Sequence, residues 1–221
     1  MRPKAFLFDF DGTLMDTEAI WTRAIVDMIV MRGGRASFRE ILPAVMGRNW
    51  LDIDRYLHEN FPCLGNTTPM QDAIELRRHY NRRVGSDPRA MRINSSIDFY
   101  RKAAEIAPCA IVTGSPREDV AAMISLCGLA ELTAFVLGAG EYEHGKPAPD
   151  GFLKAADILG VCPEDCVAVE DSTVGVAAGV AAGMRVIALD RRKDFPQTFA
   201  GQTWLVSDLA ELDFDKEFAT P

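Results

Sequence analysis

Apolar positions fall into two textures along the chain. Beyond residue 85, short continuous apolar runs alternate with helix-length segments. The runs are "PCAIVTGS" (108–115), "AFVLG" (134–138), "CVAVED" (166–171) and "MRVIAL" (184–189). Among them lie "REDVAAMISLCG" (117–128), "PDGFLKAADILG" (149–160) and "TVGVAAGVAAG" (173–183), which read as helices. Gly128 and Gly160 stand where a helix would stop. Residues 4–9 supply one more apolar run at the start of the chain. Strands without polar alternation are buried on both faces. The rhythm therefore predicts an α/β core, a Rossmann-like parallel sheet with helices on both sides.

Between residues 16 and 85 the texture is helical throughout, in "EAIWTRAIVDMIVMRG", "FREILPAVMG", "NWLDIDRYLHENF" and "PMQDAIELRRHYNRRV". A helical block inserted after the first strand predicts a second, smaller domain. The expected division is a catalytic core of residues 1–15 and 86–221 and a helical cap domain of residues 16–85. Such a domain would sit over the carboxyl ends of the strands, where open α/β sheets bind ligands.

Composition narrows the function classes. With 221 residues, 48% hydrophobic and 25% charged, the chain reads as a soluble globular protein. Its formal net charge of −8 disfavours nucleic acid and acidic membrane surfaces as partners. An anionic small substrate needs a local cation. Five cysteines without a C-x-x-C pair read as small apolar fillers in a reducing compartment. The first apolar run is too short for a signal peptide and is interrupted by Asp9. No window approaches the ~20 apolar residues of a membrane span. A cytoplasmic location is expected.

The strand ends carry the chemistry. The first run ends in Asp9 and Asp11, the second in Thr113, Gly114 and Ser115, and the fourth in Glu170 and Asp171. Lys146 follows the third. In a parallel sheet these ends share one edge and converge. Four carboxylates against one ammonium leave three negative charges in excess. Each like pair at ~4 Å costs about 4 kcal/mol at intermediate dielectric. A hard divalent cation offsets that, and carboxylate, carbonyl and water ligation suits Mg²⁺. A metal beside a lysine makes a receptor for a phosphoryl group. One aspartate can attack phosphorus while the other carries a proton. Standing alone, the Asp11-Gly12 pair would read as a mere turn.

The succession FDFDGT, TGS, GKPAPD and VEDS resembles the haloacid dehalogenase superfamily of phosphotransferases. It is similar to the subfamily with a helical cap inserted after the first strand. The likeness runs from residue 5 to about residue 190. It implies Asp9 as nucleophile and Mg²⁺ ligand. Asp11 becomes the general acid/base, its main-chain carbonyl also on the metal. Thr113, with Gly114 and Ser115 beside it, would hold the phosphoryl group. Lys146 would neutralise charge on nucleophile and phosphate. Asp171 would bind the metal, and Glu170 would bind it directly or through water.

The implied activity is a Mg²⁺-dependent phosphatase acting on a small phosphorylated metabolite, such as a sugar phosphate, through an aspartyl-phosphate. Relatives that dehalogenate or cleave phosphonates lack an acid at the place of Asp11, which favours a phosphate ester here. The β-phosphoglucomutase-like relatives share all four motifs. They carry a histidine where this chain has Trp21, and an arginine where it has Trp50. A phosphomutase remains an alternative. So does a non-catalytic binding or regulatory protein on the same fold, although intact Asp9, Asp11, Lys146 and Asp171 speak against that.

Further residues have plainer readings. Arg48 is a candidate substrate ligand from the cap, or an ordinary surface arginine. Trp21 and Trp50 read as packing between cap helices. The cluster "RRHYNRR" (77–83) reads as a solvated face with acidic partners such as Glu75. His144 stands near the Gly-Lys loop, whereas His58 and His79 read as surface residues. A monomer or weak homo-oligomer is expected.

Overall fold

The computed structural model describes residues 2–45, 50–84, 88–191 and 197–219. It divides into two compact units, Met1–Met15 with Arg92–Pro221, and Asp16–Met91. The second crossing falls after Met91 rather than at 85–86. Asp16 N donates to Met91 O at 2.8 Å, which ties the ends of the helical unit together.

In the first unit the strands are β1 (Ala5–Phe8), β2 (Cys109–Val112), β3 (Thr133–Leu137), β4 (Cys166–Glu170), β5 (Arg185–Leu189) and β6 (Trp204–Val206). All pair in parallel, in the order β3-β2-β1-β4-β5-β6. The predicted α/β class is therefore the observed one. Strand order reverses between β1 and β4, the place where sheets of this kind open a crevice at their carboxyl ends.

Period-2 alternation sends the buried residues of β1 to opposite faces. Ala5 and Leu7 join Ala110, Val112, Ala168 and Val186 on one side. Phe6 and Phe8 meet an aromatic cluster on the other, with Phe99, Tyr100, Phe214 and Phe218. Phe99 and Tyr100 come from α5 (Asn94–Ile106), an element that the apolar rhythm did not reveal. β6 was likewise not predicted, because its three residues are too few for a pattern.

The helices α6 (Arg117–Cys127), α7 (Asp150–Leu159) and α8 (Thr173–Ala181) form where helical spacing predicted them. Gly160 ends α7 in the left-handed conformation at φ 66°, as its position suggested. The small residues of α8 allow a close approach to the sheet. A Cβ at Gly179 would lie 3.0 Å from Val186 Cγ2 and 3.2 Å from Ala168 Cβ.

The helical unit contains α1 (Thr17–Met31), α2 (Phe38–Val45), α3 (Trp50–Asn60) and α4 (Pro69–Val84). Its core gathers Ile25, Met28, Ile29, Ile41, Leu57 and Leu76. Trp21 stacks on Tyr80 with ring centroids 4.1 Å apart, and Trp50 Nε1 donates to Pro69 O at 3.0 Å. Both tryptophans pack within this unit, as expected.

The "RRHYNRR" reading as a solvated face with acidic partners holds for its arginines and needs correction at His79. Arg77, Arg78 and Arg82 are exposed, but Arg83 forms a bidentate pair with Asp27, and Glu75 accepts from Arg32. His79 is buried rather than on the surface, and His58 is half-buried. Each stands one turn after a carboxylate, His58 after Asp54 and His79 after Glu75, and His58 also meets Asp72 at 2.7 Å. All five cysteines are free, three of them buried and Cys162 exposed. Among the described residues, no helix is long and apolar enough to cross a membrane.

Phe6 touches four other rings, at centroid distances from 5.5 to 6.3 Å. Truncating it leaves a cavity that sheet and helices cannot both collapse into. Phe6→Ala is expected to cost about 3–5 kcal/mol. Equilibrium urea unfolding checks this as a lowered midpoint, and an unchanged midpoint would contradict the aromatic layer's role.

Candidate active site

Asp9 stands one residue beyond β1, yet the ladder still holds it, for its N–H donates to Val169 O of β4 at 2.9 Å. The chain then turns at Gly12, where φ is +86° and the backbone passes against Asp171. A Cβ at Gly12 would run into the Asp171 carboxylate, so both the conformation and the space require glycine. Thr13 Oγ1 donates to Asp171 Oδ1 at 3.3 Å, which binds this turn to the end of β4.

Lys146 reaches the same place from the loop between β3 and α7. Its Nζ is 2.5 Å from Asp9 Oδ1 and 2.5 Å from Glu170 Oε1, and it donates to Val112 O at 3.1 Å. The ammonium also lies 5.5 Å from the Phe152 ring centroid. Glu141 braces the loop, accepting from Gly138 N at 2.7 Å and from Arg117 at 3.1 Å. The Gly138 N–H in particular holds the Glu141 carboxyl below the usual carboxylate range.

Glu170 is pinned from its other side. Its Oε2 accepts from Asp171 N at 3.1 Å, Ser172 N at 3.2 Å and Ser172 Oγ at 3.0 Å. Ser172 also caps α8, accepting from Gly175 N at 3.0 Å. A Cβ at Gly175 would run into the Glu170 carboxylate, so the helix can start here only with glycine.

Asp11 faces the β2 end. Its Oδ2 accepts from Ser115 Oγ at 2.6 Å and from Thr113 Oγ1 at 3.2 Å. Ser115 N donates to Thr113 Oγ1 at 3.0 Å, while a Cβ at Gly114 would meet nothing within 4 Å. The structure thus brings Asp9, Asp11, Thr113, Gly114, Ser115, Lys146, Glu170 and Asp171 to one edge of the sheet. Arg48 lies outside the described residues. His144 is exposed and bonded to Asp150, with Nδ1 2.8 Å from Oδ2.

Supporting residues were missed in the sequence. Tyr142 donates its hydroxyl to Thr113 O at 2.8 Å. Gln197 Nε2 donates to Asp171 O at 2.7 Å while its Oε1 accepts from Thr173 N at 2.9 Å. The Ser172-x-x-Gly175 opening of α8 was a legible capping signal. Nothing local pointed to Tyr142 or Gln197.

The electrostatics follow from burial. Burial pushes the Asp9 carboxyl well above the ordinary carboxylate range; Lys146 opposes the rise, and Glu170 and Asp11 add to it. For Lys146, burial alone would lower the ammonium's pKa, but Asp9 and Glu170 more than reverse that and hold it raised. One ammonium does not neutralise this cluster. Asp9, Glu170 and Asp171 are all buried, with carboxylate oxygens within 4.8 Å of one another. An oxygen-only donor set with excess negative charge fits a hard divalent cation. Asp9 and Asp171 are the direct candidates, since Glu170 already faces Lys146 and its own helix start.

Replacing Lys146 with methionine would leave Asp9 and Glu170 buried without that cation. The expected destabilisation in metal-free buffer is about 3–5 kcal/mol near neutral pH. Carboxyls with raised folded-state pKa values lose stability as pH rises, so the deficit relative to the unaltered chain should grow from pH 5 to pH 8. Thermal or urea unfolding across that range checks the sign, and a deficit independent of pH would count against the buried pair.

A sequence profile of haloacid dehalogenase-like hydrolases matches residues 3–183. Hexitol phosphatase A of Escherichia coli is 31% identical over 212 residues, covering 89% of this chain and 88% of that protein. Fructose-1-phosphate phosphatase YqaB of the same organism is 28% identical over 191 residues, covering 84% and 96%. A crystal structure of a HAD family hydrolase from Deinococcus radiodurans, with bound phosphate and sodium, superposes with a TM-score of 0.71. It is 27% identical, over 96% of this chain and 94% of that one. With the profile spanning most of its length and the motif residues gathered on one sheet edge, the chain belongs to the haloacid dehalogenase-like hydrolase family.

Proposed function

We propose that this hydrolase is a Mg²⁺-dependent phosphatase of a small phosphorylated metabolite in the sugar-phosphate class, working through an aspartyl-phosphate. The observation that carries this reading is Asp9 held 2.5 Å from Lys146, with Asp11 bonded to the Thr113 and Ser115 hydroxyls nearby. The named relatives, a hexitol phosphatase and a fructose-1-phosphate phosphatase, support the substrate class.

Asp9, the Asp11 main-chain carbonyl and Asp171 would hold Mg²⁺, with Glu170 adding a contact directly or through water. The ion supplies charge neutralisation for the phosphoryl oxygens. Lys146 orients Asp9 and opposes the rise that burial imposes on its carboxyl, favouring the ionised nucleophile. An Asp9 oxygen attacks phosphorus, the bond from phosphorus to the ester oxygen breaks, and protonated Asp11 gives its proton to the leaving alkoxide. Asp11, now a carboxylate, then takes a proton from water. The water oxygen attacks phosphorus, the bond to Asp9 breaks, and inorganic phosphate leaves.

The Thr113 and Ser115 hydroxyls, which now donate to Asp11, are the natural donors to the phosphoryl group. Trp21, at the place of the mutase-type histidine, is stacked on Tyr80 and offers no acid–base group. That favours hydrolysis over phosphoryl return. We read Asp16–Met91 as the cap of the family pattern, in which substrate choice resides.

With Mg²⁺ and a generic aryl phosphate, Asp9→Asn is expected to reduce turnover to background. Asp11→Asn is expected to lower turnover of a sugar phosphate, whose alkoxide needs a proton, by about a hundred- to ten-thousand-fold. Chelation by EDTA should abolish activity and added Mg²⁺ restore it. A steady-state assay over a panel of sugar phosphates reads all three, and full activity of Asp9→Asn would sink the mechanism.

A further inference from the structure

The helical unit holds a second cluster of ionisable side chains. Asp54 and His58 lie one turn apart on α3, and Asp72 lies in the first turn of α4. Potential ligand atoms of the three are within 4.8 Å of one another. His58 Nε2 is 2.7 Å from Asp72 Oδ2 and 3.9 Å from Asp54 Oδ1.

Asp72 is well supplied with donors. Arg32 Nη2 lies 3.0 Å from its Oδ1, and the Thr67 hydroxyl lies 2.9 and 2.8 Å from its two oxygens. Asp54 is not. It is 5% exposed, and its Oδ1 accepts no hydrogen bond. Burial raises the Asp54 carboxyl above its ordinary range, opposed by His58, with neighbouring Asp72 raising it further. Arg32 is shared with Glu75, so this guanidinium answers Asp72 and Glu75 while Asp54 adds a further negative charge. Two buried carboxylates facing each other need a proton or a cation between them. Asp54, His58 and Thr67 also line a surface cavity of about 520 Å³, which gives solvent and ions access.

We propose that Asp54, His58 and Asp72 form a binding site for a borderline divalent transition cation such as Zn²⁺. One imidazole nitrogen with carboxylate oxygens suits such an ion, whereas Mg²⁺ and Ca²⁺ favour all-oxygen sets. In a tetrahedral site with bonds near 2.1 Å, ligands stand about 3.4 Å apart. The 2.7 and 3.9 Å separations around His58 Nε2 bracket that value. The orphan Asp54 oxygen gains its missing partner, and water from the cavity completes the coordination. Thr67 and Arg32, which hold Asp72 in place, orient a ligand from outside the coordination sphere. The ion would join α3 to α4 and stabilise the helical unit by mass action.

Co²⁺ titrated into the full chain in excess Mg²⁺ tests this, with visible absorption as the readout. The expected result is a saturable signal from one bound ion, displaced by Zn²⁺. Affinity should fall at least about tenfold in Asp54→Asn and in His58→Gln, and stay unchanged in Asp9→Asn. Circular dichroism checks that the variants fold. Independently of any variant, Mn²⁺ broadening of backbone amide signals in the unaltered chain should centre on residues 54–58 and 72 as well as on the strand-end cluster. Absence of a Co²⁺ signal, full affinity in both variants, or broadening confined to the surroundings of Asp9 and Asp171 would overturn the site. A shared proton would then account for the Asp54–Asp72 contact.

Discussion

Lys146 places one ammonium 2.5 Å from each of two buried carboxylates, Asp9 and Glu170, and the core unit is arranged around keeping that contact. Removing three charged groups from water is costly unless each is paired and hydrogen-bonded. Every element at this edge of the sheet contributes a partner. The ladder between β1 and β4 holds Asp9, the Glu141-braced loop carries Lys146, and the N-terminus of α8 takes the far oxygen of Glu170. The excess negative charge that remains gives a divalent cation its reason to bind.

Such close contact between charged groups leaves little room for side chains nearby. Gly12 and Gly175 occur where a Cβ would collide with Asp171 and Glu170 respectively. Gly179 and the alanines of α8 extend the same economy of volume away from the site, and let the helix lie close on Ala168 and Val186. The run "TVGVAAGVAAG" is thus a packing surface at one end and a carboxylate cradle at the other.

Polar groups also enter the interior of the helical unit, under different rules. Asp72 and His79 are buried on α4, a helix whose sequence is strongly charged. Asp72 is stabilised there by Arg32, Thr67 and His58, which come from three separate segments. A charged residue of this kind reads as solvated until its partners are known, which is why His58 and His79 were expected on the surface. The proposed cation site grows from the same fact, since Asp54 lacks the donors that Asp72 has.

The apolar runs made the parallel sheet and most of its helices legible, because strands buried on both faces have few alternatives. The residue types at the strand ends were legible too, and parallel topology required them to converge. α5 and β6 escaped, α5 although its buried Ser96, Phe99, Tyr100 and Ala103 keep helical spacing, and β6 through its length. That Asp11 turns toward the Thr113 and Ser115 hydroxyls, and that Glu170 divides between Lys146 and its own helix start, was not legible in the sequence. Nor were the roles of Tyr142 and Gln197. Composition and periodicity are properties of neighbouring residues, and they decided the elements and the chemical groups available. Which oxygen meets which donor depends on segments over a hundred residues apart packing at a few ångströms, as between Asp11 and Thr113, and only the folded chain decides that.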